Sequence, residues 1–204
     1  MPSLIVHSST EKDPFTLKKW AILETEEELM EMWEQGFQLE QIPIIKAAHR
    51  RSEWLASRLL MRELGITTIS YLSNGKPVSP GCFISLSHSS NEVALVVSTT
   101  EVGLDIQFVT EKISIIRSRF CSDTEWQWLQ VHPESLRALT IVWSAKEAVF
   151  KYYGEEVEFA KHMQVMPFKC TDETIFLHYK GVHGERSFSL RHLTLDGLEV
   201  LVAL

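Results

Sequence analysis

The sequence predicts an α+β fold built from two similar α/β subdomains, and three patterns carry that reading. Amphipathic helical stretches alternate with period-two strand runs along the 204 residues. Each half runs through the same order of parts: a long helix containing a Trp, a stretch of strands, then a closing hairpin. The hairpin Ile84-Ser85-Leu86-Ser87-His88 with Val93-Ala94-Leu95-Val96-Val97 is echoed by Phe188-Ser189-Leu190-Arg191-His192 with Leu198-Glu199-Val200-Leu201-Val202-Ala203. The echo reads as a duplicated unit, although alternation alone makes any two amphipathic hairpins look alike. The halves divide as residues 1–101 and 102–204, read as one functional unit.

Taken in order, Thr25-Glu26-Glu27-Glu28 has the Thr-x-x-Glu pattern of a capping box, and Leu29, Met30, Trp33 and Phe37 follow at helical spacing. A second helix is expected from about Pro43 to Leu64, closed by Gly65. It carries Lys46, Arg50, Arg51, Arg58 and Arg62, the densest basic segment in the chain. Residues Thr67 to Leu72 lead to a turn at Ser73-Asn74-Gly75-Lys76-Pro77. Strands are expected at Phe83 to Ser87, Glu92 to Ser98 and Gly103 to Phe108. Ser122 or Asp123 can cap a helix through Trp126 and Leu129. A long helix spans about Glu134 to Tyr153 and ends at Gly154, and the remainder from Val157 reads as strands with polar turns.

Composition narrows the class. With 45% apolar residues the chain can bury a proper core. Residues Met1 to Thr10 lack the basic start and apolar run of a signal peptide. No stretch approaches the roughly 18 unbroken apolar residues of a membrane helix, so a soluble, cytoplasmic location is expected, and the two similar halves make a monomer the expected state. The three cysteines, Cys82, Cys121 and Cys170, make neither a CxxC motif nor a disulfide framework. A formal net charge of −7 argues against a surface made for nucleic acid or anionic lipid. A small polyanion remains compatible wherever basic residues cluster.

Four local patterns carry chemistry. In Trp143-Ser144-Ala145-Lys146-Glu147-Ala148-Val149-Phe150-Lys151, Glu147 and Lys151 lie four apart and project from one helix face. Such a pair is also a common surface ion pair worth a few tenths of a kcal/mol. In Val102-Gly103-Leu104-Asp105-Ile106-Gln107, an aspartate interrupts an apolar strand. It is either an ordinary turn residue beside Gly103 or a carboxylate compensated by a hard cation such as Mg²⁺. Ser85-Leu86-Ser87-His88-Ser89-Ser90 brings hydroxyls and an imidazole into a turn, which suits a phosphate and equally an unremarkable hairpin. Asn74-Gly75-Lys76-Pro77 is a turn by composition, with Lys76 exposed.

Together, in this order and spacing, these four patterns resemble the long, single-chain, pseudo-dimeric class of 4'-phosphopantetheinyl transferases named after the surfactin synthetase activator. The resemblance covers roughly residues 45 to 155 by motif. It implies transfer of the phosphopantetheine arm of coenzyme A to a serine of an apo acyl or peptidyl carrier protein. It makes Asp105 and Glu147 magnesium ligands, Ser87 and His88 contacts to coenzyme A phosphates, and Lys76 a residue on the coenzyme A side. Lys151 would sit beside the pyrophosphate, and Arg51 with Lys46 would approach the 3'-phosphate.

One position departs from the family pattern. Many relatives carry Asp-x-Glu in the strand, whereas here the third position is Gln107. Its amide oxygen can meet the metal directly or hold a metal-bound water, which puts the choice between Mg²⁺ and Mn²⁺ in question. Glu147 is the expected base for the incoming serine and Lys151 the group that neutralises the leaving phosphate. An acidic carrier must dock on a local basic or apolar patch, since this chain is itself acidic. Two rivals are a different magnesium phosphotransferase, disfavoured by the missing Gly-x-x-x-x-Gly-Lys-Ser/Thr loop, and a catalytically silent coenzyme A or carrier-binding module.

Overall fold

The computed structural model describes residues 3–7, 14–35, 43–154, 157–182 and 184–204. Its contacts divide the chain into two compact units, Met1–Ser73 with Pro77–Thr100, and Asn74–Lys76 with Glu101–Leu204. Asn74–Lys76 therefore packs with the second unit, whereas the sequence places that turn in the first half.

The first unit opens with β1 (Ser3–His7) and β2 (Phe15–Ala21), which the helix and hairpin patterns left unassigned. Next come α1 (Glu26–Glu34), α2 (Ala48–Glu63), the short pair β3 (Ser70–Tyr71) and β4 (Pro77–Val78), and the hairpin β5 (Phe83–Ser89) with β6 (Glu92–Ser98). The main sheet is antiparallel in the order β1-β2-β6-β5. The capping box forms: Thr25 Oγ1 accepts from the Glu28 amide and the Glu28 carboxylate accepts from the Thr25 amide. Phe37, expected on this helix, lies outside the described residues. The second helix starts at Ala48 rather than Pro43: Ala47 is extended, and the β-branched Ile44 and Ile45 before it are poor helix formers. It stops at Glu63, and Gly65 takes the left-handed conformation with φ +74°. Trp20, Leu29, Leu55, Leu59, Leu60 and Leu95 form the core, each burial contributing about 1.5–3 kcal/mol.

In the second unit, β7 (Gly103–Phe108) is followed by α3 (Lys112–Ile115), a 3-10 turn at Arg117–Arg119, α4 (Asp123–Leu129) and α5 (Ser135–Tyr153). Then come α6 (Phe159–His162), a helical turn inside a stretch expected to be strands, and β8 (Met163–Val165), β9 (Thr174–Gly181), β10 (Gly184–Leu195) and β11 (Leu198–Ala203). The sheet is antiparallel in the order β7-β11-β10-β9-β8. Asp196 and Gly197, at φ +51° and +81°, close the β10–β11 hairpin. The long helix α5 packs against β7 and β11 and ends, as expected, in a left-handed Gly154 with φ +71°.

Gly103 shows how closely helix and strand approach. A Cβ there would lie 1.9 Å from the Ala148 carbonyl oxygen and 2.6 Å from the Tyr152 nitrogen. Both obstacles are backbone, so only glycine lets β7 lie this close to α5. The strand period then decides the chemistry, since Asp105 and Gln107 share the face of Gly103.

Candidate active site

Asp105 is 6% exposed, and Lys151, in the last turn of α5, donates from Nζ to its Oδ1 at 2.9 Å. One turn earlier, Glu147 has its carboxyl pushed up to about 7, mainly by burial and then by the negative charge of Asp105, with Lys151 opposing. The strand and the helix thus bring three predicted residues, Asp105, Glu147 and Lys151, into electrostatic contact. Gln107 uses its amide nitrogen on the Phe108 carbonyl at 3.2 Å. Among the described residues, no three carboxylate, imidazole or thiol groups converge into a complete metal cage. A carboxylate pair is nevertheless the donor set from which Mg²⁺ is commonly held beside substrate phosphates.

Glu147 also lines a cavity of about 460 Å³ within the second unit, walled by Ile116, Trp143, Val157 and Phe159, with Arg119 and Lys161 among the lining residues. Lys146, the neighbour of Glu147, supports this wall by donating to the Phe159 carbonyl at 3.3 Å. It is 0% exposed and donates to Glu125 Oε2 at 2.7 Å and to the carbonyls of Phe120 at 2.7 Å and Met163 at 2.9 Å. Glu125 in turn accepts the Val165 amide at 2.8 Å and completes a capping box with Ser122. Motif reading gave Lys146 no role. The available signal was its place on the α5 face of Val142 and Val149, where a lysine must be buried.

The phosphate-type residues of the first unit gather separately. Ser87 and His88 line a cavity of about 260 Å³ together with Arg50, Trp54, Arg58 and Tyr71. Arg50 Nη1 lies 2.8 Å from His88 Nε2 and 3.0 Å from Glu53. Arg58 is 3% exposed, with its guanidinium 4.5 Å from the Trp54 ring centre and a bond to Tyr71 Oη at 3.0 Å.

The basic residues chosen from sequence are placed differently. Arg51 grips Glu26 through Nε at 2.6 Å and Nη2 at 2.9 Å and also donates to the carbonyls of Ile45 and Lys46, so it ties α2 to α1. Lys46 is exposed and outside the lining of the cavity. Arg50, Trp54 and Arg58 recur every four residues, so one helix face carries both arginines to the cavity that His88 lines, and that spacing was legible. Lys76 is not the exposed turn lysine expected. Its Nζ donates to the Tyr152 carbonyl at the end of α5, and its side chain is 13% exposed.

A strand aspartate held by a helix lysine, with a buried glutamate of raised pKa one turn away, is the kind of ionisable cluster found at catalytic sites. Residues 101–200 match the family model of the 4'-phosphopantetheinyl transferase superfamily. Over 118 residues it is 31% identical to Enterobactin synthase component D of Salmonella typhimurium strain LT2, covering 53% of this chain and 50% of that protein. Enterobactin synthase component D of Salmonella typhi aligns with the same identity and coverage. The chain spans about half the length of the curated relatives it matches. The family match takes in Asp105, Gln107, Glu147 and Lys151, whereas Arg50, Arg58 and His88 precede it. Among the described residues, no helix is long and apolar enough to cross a membrane.

Proposed function

We propose that this protein transfers the 4'-phosphopantetheine group of coenzyme A to a serine of an apo acyl or peptidyl carrier protein, releasing adenosine 3',5'-bisphosphate. The observation that carries the reading is the placement of Asp105 on β7 against Glu147 and Lys151 on α5. The site fits a hard cation. Asp105 and Glu147 stand close enough for the charge of one to raise the pKa of the other, a repulsion that a shared hard cation would relieve. Asp105, Glu147 and the amide oxygen of Gln107 would hold Mg²⁺, which supplies charge neutralisation at the pyrophosphate.

In this reading the carrier serine oxygen bonds to the pantetheine-bearing phosphorus while the bond to the bridging oxygen of the adenosine bisphosphate breaks. Glu147 accepts the serine proton, and its raised pKa suits a base working near neutral pH. Lys151 faces the negative charge that gathers on the departing phosphate. The apolar walls beside Glu147 favour the uncharged amide chain of the transferred arm. Within the first unit, Arg50, Arg58 and His88 form a cationic cavity, also lined by Ser87, whose donors suit a phosphate group.

The direct test is mass spectrometry of several apo carrier proteins incubated with coenzyme A, Mg²⁺ and the protein. Addition of the phosphopantetheine mass to a serine is the expected result, and coenzyme A binding with no transfer would instead favour a silent module. A paired substitution separates the two neighbouring arginines. Arg50→Ala is expected to weaken coenzyme A binding about tenfold, the cost of one charge-assisted phosphate contact. Arg51→Ala should lower the melting temperature while leaving that affinity nearly unchanged. Isothermal titration and thermal denaturation read the two effects, and a reversed pattern would return the phosphate role to Arg51.

A further inference from the structure

The Lys76 side chain is committed to the end of α5 by several independent contacts. Asn74 Oδ1 accepts the Lys76 amide at 3.0 Å, which closes the turn on itself. Lys76 Nζ then donates to the Tyr152 carbonyl, one of the last carbonyls of α5, which have no partner inside the helix. A cation at this end also complements the helix dipole. The ammonium stands 5.9 Å from the Tyr152 ring centre and 3.9 Å from Glu101.

Gly154 is shaped around the same contact. A Cβ there would lie 2.7 Å from Lys76 Cδ and 3.2 Å from Asn74 Nδ2. The turn therefore presses on the helix terminus through both the lysine stem and its ammonium. Tyr152 directly follows Lys151, the residue that reaches Asp105, so the grip falls on the turn that delivers the lysine to the acidic pair. For Lys76 to meet a phosphate instead, it would have to abandon a carbonyl at the helix end.

We propose that Lys76 is a positioning residue for the transfer step: it clamps the last turn of α5 so that Lys151 and Glu147 are held against Asp105, and it is not a ligand of coenzyme A phosphate. This rests on the transferase reading above. A clamp acts on the rate of the bound complex, whereas a phosphate ligand acts on affinity.

The test uses the full chain with Lys76→Met, Lys76→Arg and, from the helix side, Gly154→Ala. Single-turnover transfer at saturating coenzyme A is expected to slow about tenfold in Lys76→Met and Gly154→Ala, with the coenzyme A dissociation constant within about twofold of the parent. Lys76→Arg, which keeps a cationic donor, should recover much of the rate. A tenfold weaker coenzyme A affinity at unchanged rate in Lys76→Met would overturn the proposal, as would no change in either quantity. If the parent protein transfers nothing, the transferase reading fails by itself. Hydrogen exchange at residues 150–154 then decides the clamp: faster exchange in Lys76→Met supports it and unchanged exchange refutes it.

Discussion

Lys146→Met is expected to destabilise the fold by about 3–5 kcal/mol, because it strips the partner from a carboxylate that has no access to water. Against a total stability of about 5–15 kcal/mol, that loss leaves a marginal protein. Burial already pulls the Lys146 ammonium pKa down, and the Glu125 charge is what opposes this. Glu125→Gln should cost a similar amount from the other side. The double change Lys146→Met with Glu125→Leu should recover only part, since the Ser122 and Val165 amides then lose their acceptor. Urea denaturation followed by circular dichroism measures all three, and a loss under about 1 kcal/mol in both single variants would mean the pair is solvated.

Glu147→Gln is expected to lower transfer to an apo carrier protein by about two orders of magnitude or more while coenzyme A still binds. Glutamine keeps the size of the side chain and an oxygen for a cation, but it cannot take the serine proton. Asp105→Ala should act differently, damaging magnesium-dependent binding and turnover together and leaving Lys151 without its 2.9 Å partner. Raised Mg²⁺ should rescue Asp105→Ala in part and Glu147→Gln not at all. Rapid-quench transfer assays read the first effect and calorimetry the second. Near-normal turnover in Glu147→Gln would remove the residue as the base.

Much of the fold and the acidic part of the site were legible because their causes are local. Thr25 and Glu28 form a capping box within one helical turn, and Gly154 stops α5 in a conformation glycine adopts at little cost. Alternation located β5 and β7, and a short apolar run bounded by polar residues located β6. Asp105 stood out because a carboxylate contradicts the apolar strand around it, and such a conflict between neighbours is visible without a structure. Pro43 to Ala47 misled the helix reading because a proline suited to open a helix is followed by β-branched Ile44 and Ile45, which favour extended backbone.

The sequence by itself determined the α+β composition, the aspartate inside an apolar strand, and the shared helix face of Glu147 and Lys151. Only the tertiary structure decided which basic residues go where. Arg50 and Arg51 are neighbours in the chain, yet on a helix they point about 100° apart, so the packing of α2 sends one to His88 and the other to Glu26. Lys146 and Lys76 look like ordinary lysines until long-range contacts commit them, one to a carboxylate 21 residues away and the other to a carbonyl 76 residues away. A side chain's charge is written in its residue type, but its partner is set by elements that meet only when the chain folds.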